Sequence, residues 1–327
     1  MCLEPRISPG TTLLTESRPG KYRPGVPPLQ VLCAVVAMAV GLGLCGALVY
    51  RNGRGLGDWL AVLRGVDLRW AGIALAGMAV NLVLAAQKWR RVEACLAGNA
   101  PRFRYAVGVT AIGWGLGQFL PVPIAAAVVR GFANRVASRS ARHGAIASAW
   151  EQLFDLAAAV LLAGPAIAAM LHGSTSGVFA GWVVAILVGE IGAVWIPRLL
   201  GHWTRIEATL SSPSLCRFLW RVSLVRTAIL MAVTVVIGQA MGAEIPHYLI
   251  AEAVPPVIVA GVLSFVPAGI GVNEVSFVGL LGMAGVAASI ATGFALVNRV
   301  LQLAIALLLA LGGVVIVGLA ARSRNDP

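Results

Sequence analysis

Long apolar runs separated by short basic loops dominate the chain. Residues 29–50, 70–87, 145–170, 176–196 and 219–242 each come close to, or exceed, the roughly 20 apolar residues a helix needs to cross the hydrocarbon core of a bilayer. From 248 to 322 the sequence is almost continuously apolar but is punctuated by Pro255, Pro256, Pro267, Gly269, Gly271 and Gly293. That pattern predicts three further segments, one of them broken. Another apolar stretch, 105–137, is interrupted at Pro121-Val122-Pro123. Two prolines in three residues remove two backbone donors and clash with the preceding turn. A straight helix cannot pass, so two half-helices meeting at the break are predicted. The expected fold is all-α, a polytopic transmembrane helical bundle of about 7–9 membrane segments, with one or two broken or re-entrant helices. Residues 29–321 form a single integral membrane domain, preceded by a mobile, basic, Pro- and Gly-rich tail (1–28) and followed by a short polar tail (322–327).

The basic residues orient this layout. Lys88, Arg90, Arg91, Arg102 and Arg104 precede the proline break, and Arg130, Arg135, Arg139 and Arg142 follow it. A single crossing by 105–129 would put the two groups on opposite sides, against the positive-inside pattern. A re-entrant hairpin puts both in the cytoplasm. The turn at 171–175 and the loop at 243–247 carry no Lys or Arg, whereas 197–221 carries Arg198, Arg205, Arg217 and Arg221. The N-terminus is therefore expected in the cytoplasm. One loop does not fit: 51–69, with Arg51, Arg54, Arg64 and Arg69, falls outside, where its WLAVLRGVDLRW segment reads as an interfacial amphipathic stretch.

Composition sharpens the class. Hydrophobic residues make up 59% and charged residues 12% of the chain, against about 25% charged in an ordinary globular protein. So few charges cannot cover a water-facing surface, which excludes a cytosolic enzyme, a disulfide scaffold and a nucleic-acid-binding domain. The net charge of +12 fits loops held against anionic headgroups. The five cysteines show no CxxC spacing and the four histidines no HExxH pattern, so no metal and no cofactor are expected. Tyr50, Trp70, Trp89, Trp195 and Trp220 lie near span ends and read as interfacial anchors.

The informative residues are the ionisable ones within apolar runs, since each costs at least about 2.5–3.5 kcal/mol at a helix centre for Asp, Lys or Arg. Glu151 and Asp155 stand four apart in SAWEQLFDLAAAV and share one helix face. They form either a hydrated interfacial patch or part of a site in which a cation, a donor or a proton relieves their repulsion. Glu190, deep in VVAILVGEIGAVWIP, is expected to be protonated or paired, and Arg226 is expected to snorkel to the cytoplasmic edge. In PAGIGVNE, Pro267 ends a helix and Gly269 and Gly271 permit positive φ. Glu274 then favours the positive end of the next helix. This is either a glycine turn with a charged first helical turn, or a loop where a phosphate-bearing headgroup meets N–H groups together with Arg130 and Arg299. Phe119-Leu-Pro-Val-Pro-Ile124 and Phe265-Val-Pro-Ala-Gly-Ile270 share one pattern. They are either a coincidental pair of kinks or traces of an internal repeat around 105–196 and 248–320, in which broken helices line a substrate site.

The order of these motifs resembles the lysylphosphatidylglycerol synthase transmembrane family, also described as flippase-like. It runs Leu120-Pro121 with Arg130, then Glu151 and Asp155, then Pro267, Gly269, Gly271 and Glu274, then Asn298-Arg299 and Gly312-Gly313. The resemblance extends from about residue 30 to 320, and the Pro267–Glu274 motif is its most specific part. It implies a membrane protein that moves aminoacylated phospholipid or handles polyprenyl-linked glycans. The chain departs from the family at Ile124-Ala125-Ala126-Ala127, where relatives commonly have Gly-Glu, and at Gln152, where an Arg often stands. No polar segment here is long enough for the soluble aminoacyltransferase domain that synthesis requires, so synthase activity is not carried over.

The leading expectation is a non-enzymatic, multi-pass protein of the bacterial inner membrane that translocates or binds an anionic or sugar-bearing lipid, either a phospholipid or a polyprenyl-linked one. Arg130 and Arg299 would neutralise phosphate. Glu151, Asp155 and Glu274 would bind hydroxyl or ammonium groups or gate by protonation, and the breaks at Pro121, Pro123, Pro267, Gly269 and Gly271 would act as hinges. With no GxxxxGK[ST] motif, energy would come from an ion gradient, a partner ATPase or the lipid gradient. Two rival readings are a non-catalytic membrane partner of a glycosyltransferase or aminoacyltransferase, and an enzyme acting on a lipid-linked substrate with Glu151 and Asp155 as its acid/base or metal pair. Two carboxylates with no third ligand make a poor metal site. No nucleic-acid partner is expected.

Overall fold

The computed structural model describes residues 28–51, 64–172, 177–204 and 209–322. Among them are ten α-helices and a single 3₁₀ turn, with no strand. The helices are α1 (Pro28–Arg51), α2 (Leu68–Ala97), α3 (Phe103–Leu116), α4 (Val122–Val136), α5 (Ala141–His172), α6 (Val178–Thr204), α7 (Pro213–Ala240), α8 (His247–Leu263), α9 (Val272–Met283) and α10 (Ala288–Arg322). Five of them, α2, α5, α6, α7 and α10, are long and apolar enough to span a membrane. Apolar side chains cover their outer surfaces, as lipid solvation requires: Leu153, Leu187, Ile191 and Leu311 are all exposed. The chain is an all-α, multi-pass membrane bundle.

The two broken segments are helical hairpins. α3 ends at Leu116 and the chain restarts at Val122, where Pro123 sits in the first turn and its missing N–H is no loss. The arms run antiparallel, since the Tyr105 hydroxyl at the start of α3 donates to the Ala133 carbonyl near the end of α4 at 3.0 Å. At about 1.5 Å per residue each arm is roughly 21–23 Å long, short of the hydrocarbon thickness, and both ends return to one side. The second hairpin consists of α8, the 3₁₀ turn Pro267–Gly269 and α9. Leu249 and Ala253 of α8 share a core with Phe277 and Leu281 of α9. Pro255 and Pro256, read from sequence as punctuation, lie inside α8. Both are buried, where surrounding protein rather than lipid meets the carbonyls they leave without a helical donor.

The order long helix, hairpin, long helix occurs twice: α2 to α5, then α7 to α10. The packing is reciprocal. α3 of the first set lies along α10 of the second, and α8 of the second along α5 of the first, while α2 and α7 pack on each other. The α2–α7 pair is antiparallel. The Asp67 N–H donates to the Ala240 carbonyl at one end, and the Arg91 guanidinium lies over the Phe218 ring at the other. α3 and α10 are antiparallel too, with Gly108 against Gly313 and Gly115 against Ala310. The two sets therefore run in opposite directions, and the hairpins enter the bundle from opposite ends, the arrangement of an inverted repeat. The end holding the termini of the first hairpin also holds Arg90, Arg102, Arg104, Arg135, Arg139 and Arg142.

Two sequence expectations change here. α2 does not stop at residue 87 but continues to Ala97, so Lys88 and Glu93 lie within a helix and not in a loop. Trp89 and Trp220, expected as interfacial anchors, are 0% and 2% exposed, whereas Tyr50, Trp70 and Trp195 do face outward. Trp89 and Trp220 share a core with Trp150 and Phe154, and the Arg130 guanidinium stacks over Trp89 at 5.3 Å. The N-terminal tail, most of the 51–69 loop, most of the turn after α5 and the end of the C-terminal tail lie outside the described residues.

Candidate functional site

Polar side chains inside the bundle gather at two places, one beside each hairpin. The first is built from α2, α4, α5 and α7. Lys88, fully buried, gives its three donors to the Glu151 carbonyl (2.9 Å), Asp155 Oδ1 (2.6 Å) and Ser223 Oγ (2.7 Å). Asp155 also accepts from Ser223 Oγ at 2.7 Å and, through Oδ2, from Arg226. Arg226 in turn donates to Asn81 Oδ1 at 2.7 Å. One helical turn before Asp155, Glu151 pairs with Arg130, which also donates to Ser148 Oγ at 3.2 Å. α4 and α5 can approach this closely because residue 144 is glycine: a Cβ there would stand 2.7 Å from the Arg130 carbonyl.

Three cations thus share two carboxylates around a cavity of about 70 Å³, whose lining includes Thr110, Arg130, Glu151, Asp155 and Arg226. Glu93, a turn and a half beyond Lys88, is not part of this lining and is held by Asn134 Nδ2 at 2.7 Å. The lining itself carries Arg130 and Arg226 against Glu151 and Asp155, and Lys88 and Glu93, both buried but neither in the lining, add one charge of each sign, with Glu93 acting on Arg130. Low local dielectric strengthens the pull of each of these charges on an ion that enters the cavity. Thr110 Oγ1, Glu151 Oε2 and Gln152 Nε2 are buried without a partner, so hydrogen-bonding capacity is also left over.

The second place lies at the tip of the other hairpin. Val266 is extended, Ala268 sits in the left-handed region at φ 45°, and Gly269 and Gly271 have φ of 66° and 81°. This path turns the Ala268 carbonyl toward α10, where it accepts from Arg299 Nη1 (3.0 Å), and it accepts from Asn273 Nδ2 as well (3.2 Å). Glu274 Oε2 accepts from the Gly271 N–H at 2.5 Å, which satisfies a free donor at the start of α9, and its Oε1 lies 3.6 Å from Arg299 Nε. A cavity of about 110 Å³ is lined here by Thr234, Asn273, Glu274, Asn298, Arg299 and Gln302, among others. α1 packs on this tip: Gly271 abuts Leu44, and Cys45 lies beside Glu274.

All five sequence candidates are thus inside the bundle, in two groups. Arg130, Glu151 and Asp155 meet at the first cavity, and Glu274 and Arg299 at the second. The expectation of Arg130 and Arg299 acting together on one phosphate does not hold, because Arg130 on α4 and Arg299 on α10 line different cavities that share no lining residue. Pro121 and Pro123 stand at the first break, and Pro267, Gly269 and Gly271 at the second. Arg226 does not snorkel. It is 14% exposed because Asp155 and Asn81 offer it partners in the interior. Glu190 is paired at the surface, accepting from Arg221 at 2.8 and 3.2 Å. Lys88, Asn81 and Ser223 did not emerge from the sequence. Their signal was helical phase: Asn81 and Lys88 are two turns apart on α2, and Ser223 and Arg226 one turn apart on α7. No cluster of metal-ligating side chains occurs among the described residues.

Residues 33–312 match the family model described as the lysylphosphatidylglycerol synthase transmembrane region, and the chain belongs to that family. No curated protein and no solved structure matches it.

Proposed function

We propose that the chain is a lipid translocator, a flippase-like carrier that admits an anionic lipid headgroup to the first cavity while the acyl or prenyl tails stay in the bilayer. Family membership supplies the class of membrane protein. The observation that carries the reading further is the pair of guanidiniums, Arg130 and Arg226, lining a cavity inside the bundle together with the unpartnered Thr110 hydroxyl and Gln152 Nε2. Ionisable groups at such depth are costly, and here they are mutually paired and leave buried donors beside them without a partner. A phosphate entering from the basic end accepts from those donors. The inverted order of the two hairpin units offers a route to the opposite side by the rocking of one unit against the other. The protein is a carrier and not an enzyme on this reading, and lies in the inner membrane of a bacterium. By the positive-inside pattern the end rich in arginine is cytoplasmic, as are both termini.

Two experiments test it. In sealed vesicles, the purified protein is expected to move fluorescent phosphatidylglycerol between leaflets, and Arg226→Gln to slow that movement by at least about tenfold, the equivalent of one charged hydrogen bond. Equal rates for wild type and for folded Arg226→Gln and Arg130→Gln variants would refute the reading. Single cysteines in place of Arg102 and Glu244, both exposed and at opposite ends of the bundle, should react with impermeant maleimide from opposite sides of the membrane.

A further inference from the structure

The second cavity has a different chemistry from the first, although the two occupy corresponding places. The eleventh, twelfth and fifteenth residues of α5 are Glu151, Gln152 and Asp155, and those of α10 are Asn298, Arg299 and Gln302. All six line their respective cavities. Where the first set offers two carboxylates, the second therefore offers two carboxamides. Its only charged lining residues, Glu274 and Arg299, face each other and cancel. Around the second cavity there is no excess charge.

We infer that this second cavity is a binding site in its own right, for an uncharged hydroxyl-bearing group such as a glycerol or a sugar. Two buried polar atoms of its lining have no partner: Arg299 Nη2, a donor, and Asn273 Oδ1, an acceptor. A hydroxyl accepts from one and donates to the other. A lipid phosphodiester only accepts, and any phosphate anion would lie against the Glu274 carboxylate. An ammonium only donates and would lie against the Arg299 guanidinium. The site is built around Asn273, whose amide occupies the space that side chains at Gly261 and Gly269 would fill; a Cβ at Gly269 would stand 2.6 Å from Asn273 Nδ2. Asn273 Nδ2 and Arg299 Nη1 are both tied to the Ala268 carbonyl, which fixes the two residues relative to each other. At about 10–15 Å³ for each water it could hold, the 110 Å³ cavity takes a glycerol or part of one sugar ring but no larger glycan. That the hydroxyl group belongs to a transported lipid rests on the translocator reading. The binding itself does not.

The test is saturation-transfer NMR on the full chain in phosphatidylcholine nanodiscs, with glycerol, methyl glucoside and ethanolamine as probes and with inorganic phosphate followed by phosphorus line broadening. Glycerol or methyl glucoside should bind saturably to wild type and to Arg226→Gln. Affinity should fall about fivefold in Asn273→Ala and in Gln302→Leu, the effect of losing one neutral hydrogen bond. Polyol binding that is absent from wild type, or unchanged in both folded variants, overturns the inference. So does binding of phosphate or ethanolamine that Asn273→Ala abolishes. Lipid movement is scored on the same samples. Loss of movement in Arg226→Gln with polyol binding intact separates the two sites. Polyol binding in a wild type that moves no lipid leaves this inference standing and removes the translocator reading.

Discussion

Asp155 is the single carboxylate that two buried cations share, and this predicts an unequal response to removing either side of the cluster. In Asp155→Asn, Lys88 keeps the Glu151 carbonyl and Ser223 Oγ, and Arg226 keeps Asn81, but their charges face each other with nothing between. Breaking a buried pair in this way costs about 3–5 kcal/mol, and because the Asp155 side chain is 30% exposed the low end applies, about 3 kcal/mol. In Lys88→Met the carboxylate retains Arg226 and Ser223. The loss is then one of hydrogen bonds, about 1–2 kcal/mol. The double variant removes one charge of each sign, keeps the wild-type balance, and should cost about 1–2 kcal/mol less than the two singles added together. The measurement is a double-mutant cycle of equilibrium unfolding in bicelles. Additive costs, or Lys88→Met as damaging as Asp155→Asn, would show that the cluster is not held together by its charge balance.

Other positions give narrower tests. Ala268 adopts a left-handed conformation that costs an L-residue roughly 1 kcal/mol, so Ala268→Gly should raise stability by up to about that amount, and Ala268→Val should lower it, in the same unfolding assay. Gly144→Leu forces α4 away from α5 and should cost about 3 kcal/mol while weakening any anion binding that depends on Arg130; Gly144→Leu with wild-type stability would contradict the packing described. The Glu190–Arg221 pair lies at the surface, so Arg221→Gln should leave the melting temperature unchanged, whereas Glu151→Gln, which strips buried Arg130 of its carboxylate, should lower it measurably in the same scan.

Much of the fold was legible because its causes are local. Runs of apolar residues long enough to span must be helices, as lipid offers no partner for a free backbone group. Pro121-Val122-Pro123 and Pro267-Ala268-Gly269 break helices by their own covalent geometry. The pairing of elements was not local in this sense. That α3 lies along α10 and α8 along α5 depends on small residues meeting across the bundle, such as Gly108 and Gly313, and neither glycine announces its partner in a chain with 38 of them.

The same division explains Lys88 and Arg226. A window of hydropathy sees a lysine followed by Trp89, Arg90 and Arg91 as the beginning of a loop, because the cost of burying an ammonium is charged to it alone. That cost is set by what surrounds the group, and Asp155 and Ser223 come from 67 and 135 residues further along the chain. For Arg226 the error was opposite in form and identical in cause: snorkelling was assigned to a side chain whose partners, Asn81 and Asp155, already stood within the bundle. A lone ionisable residue in an apolar run therefore has no assignable position until its counter-charge is found. In this chain the counter-charges lie on other helices, so the polar cluster exists only once α2, α4, α5 and α7 have assembled. Its contribution to stability and its attraction for an anion are accordingly properties of the assembled bundle.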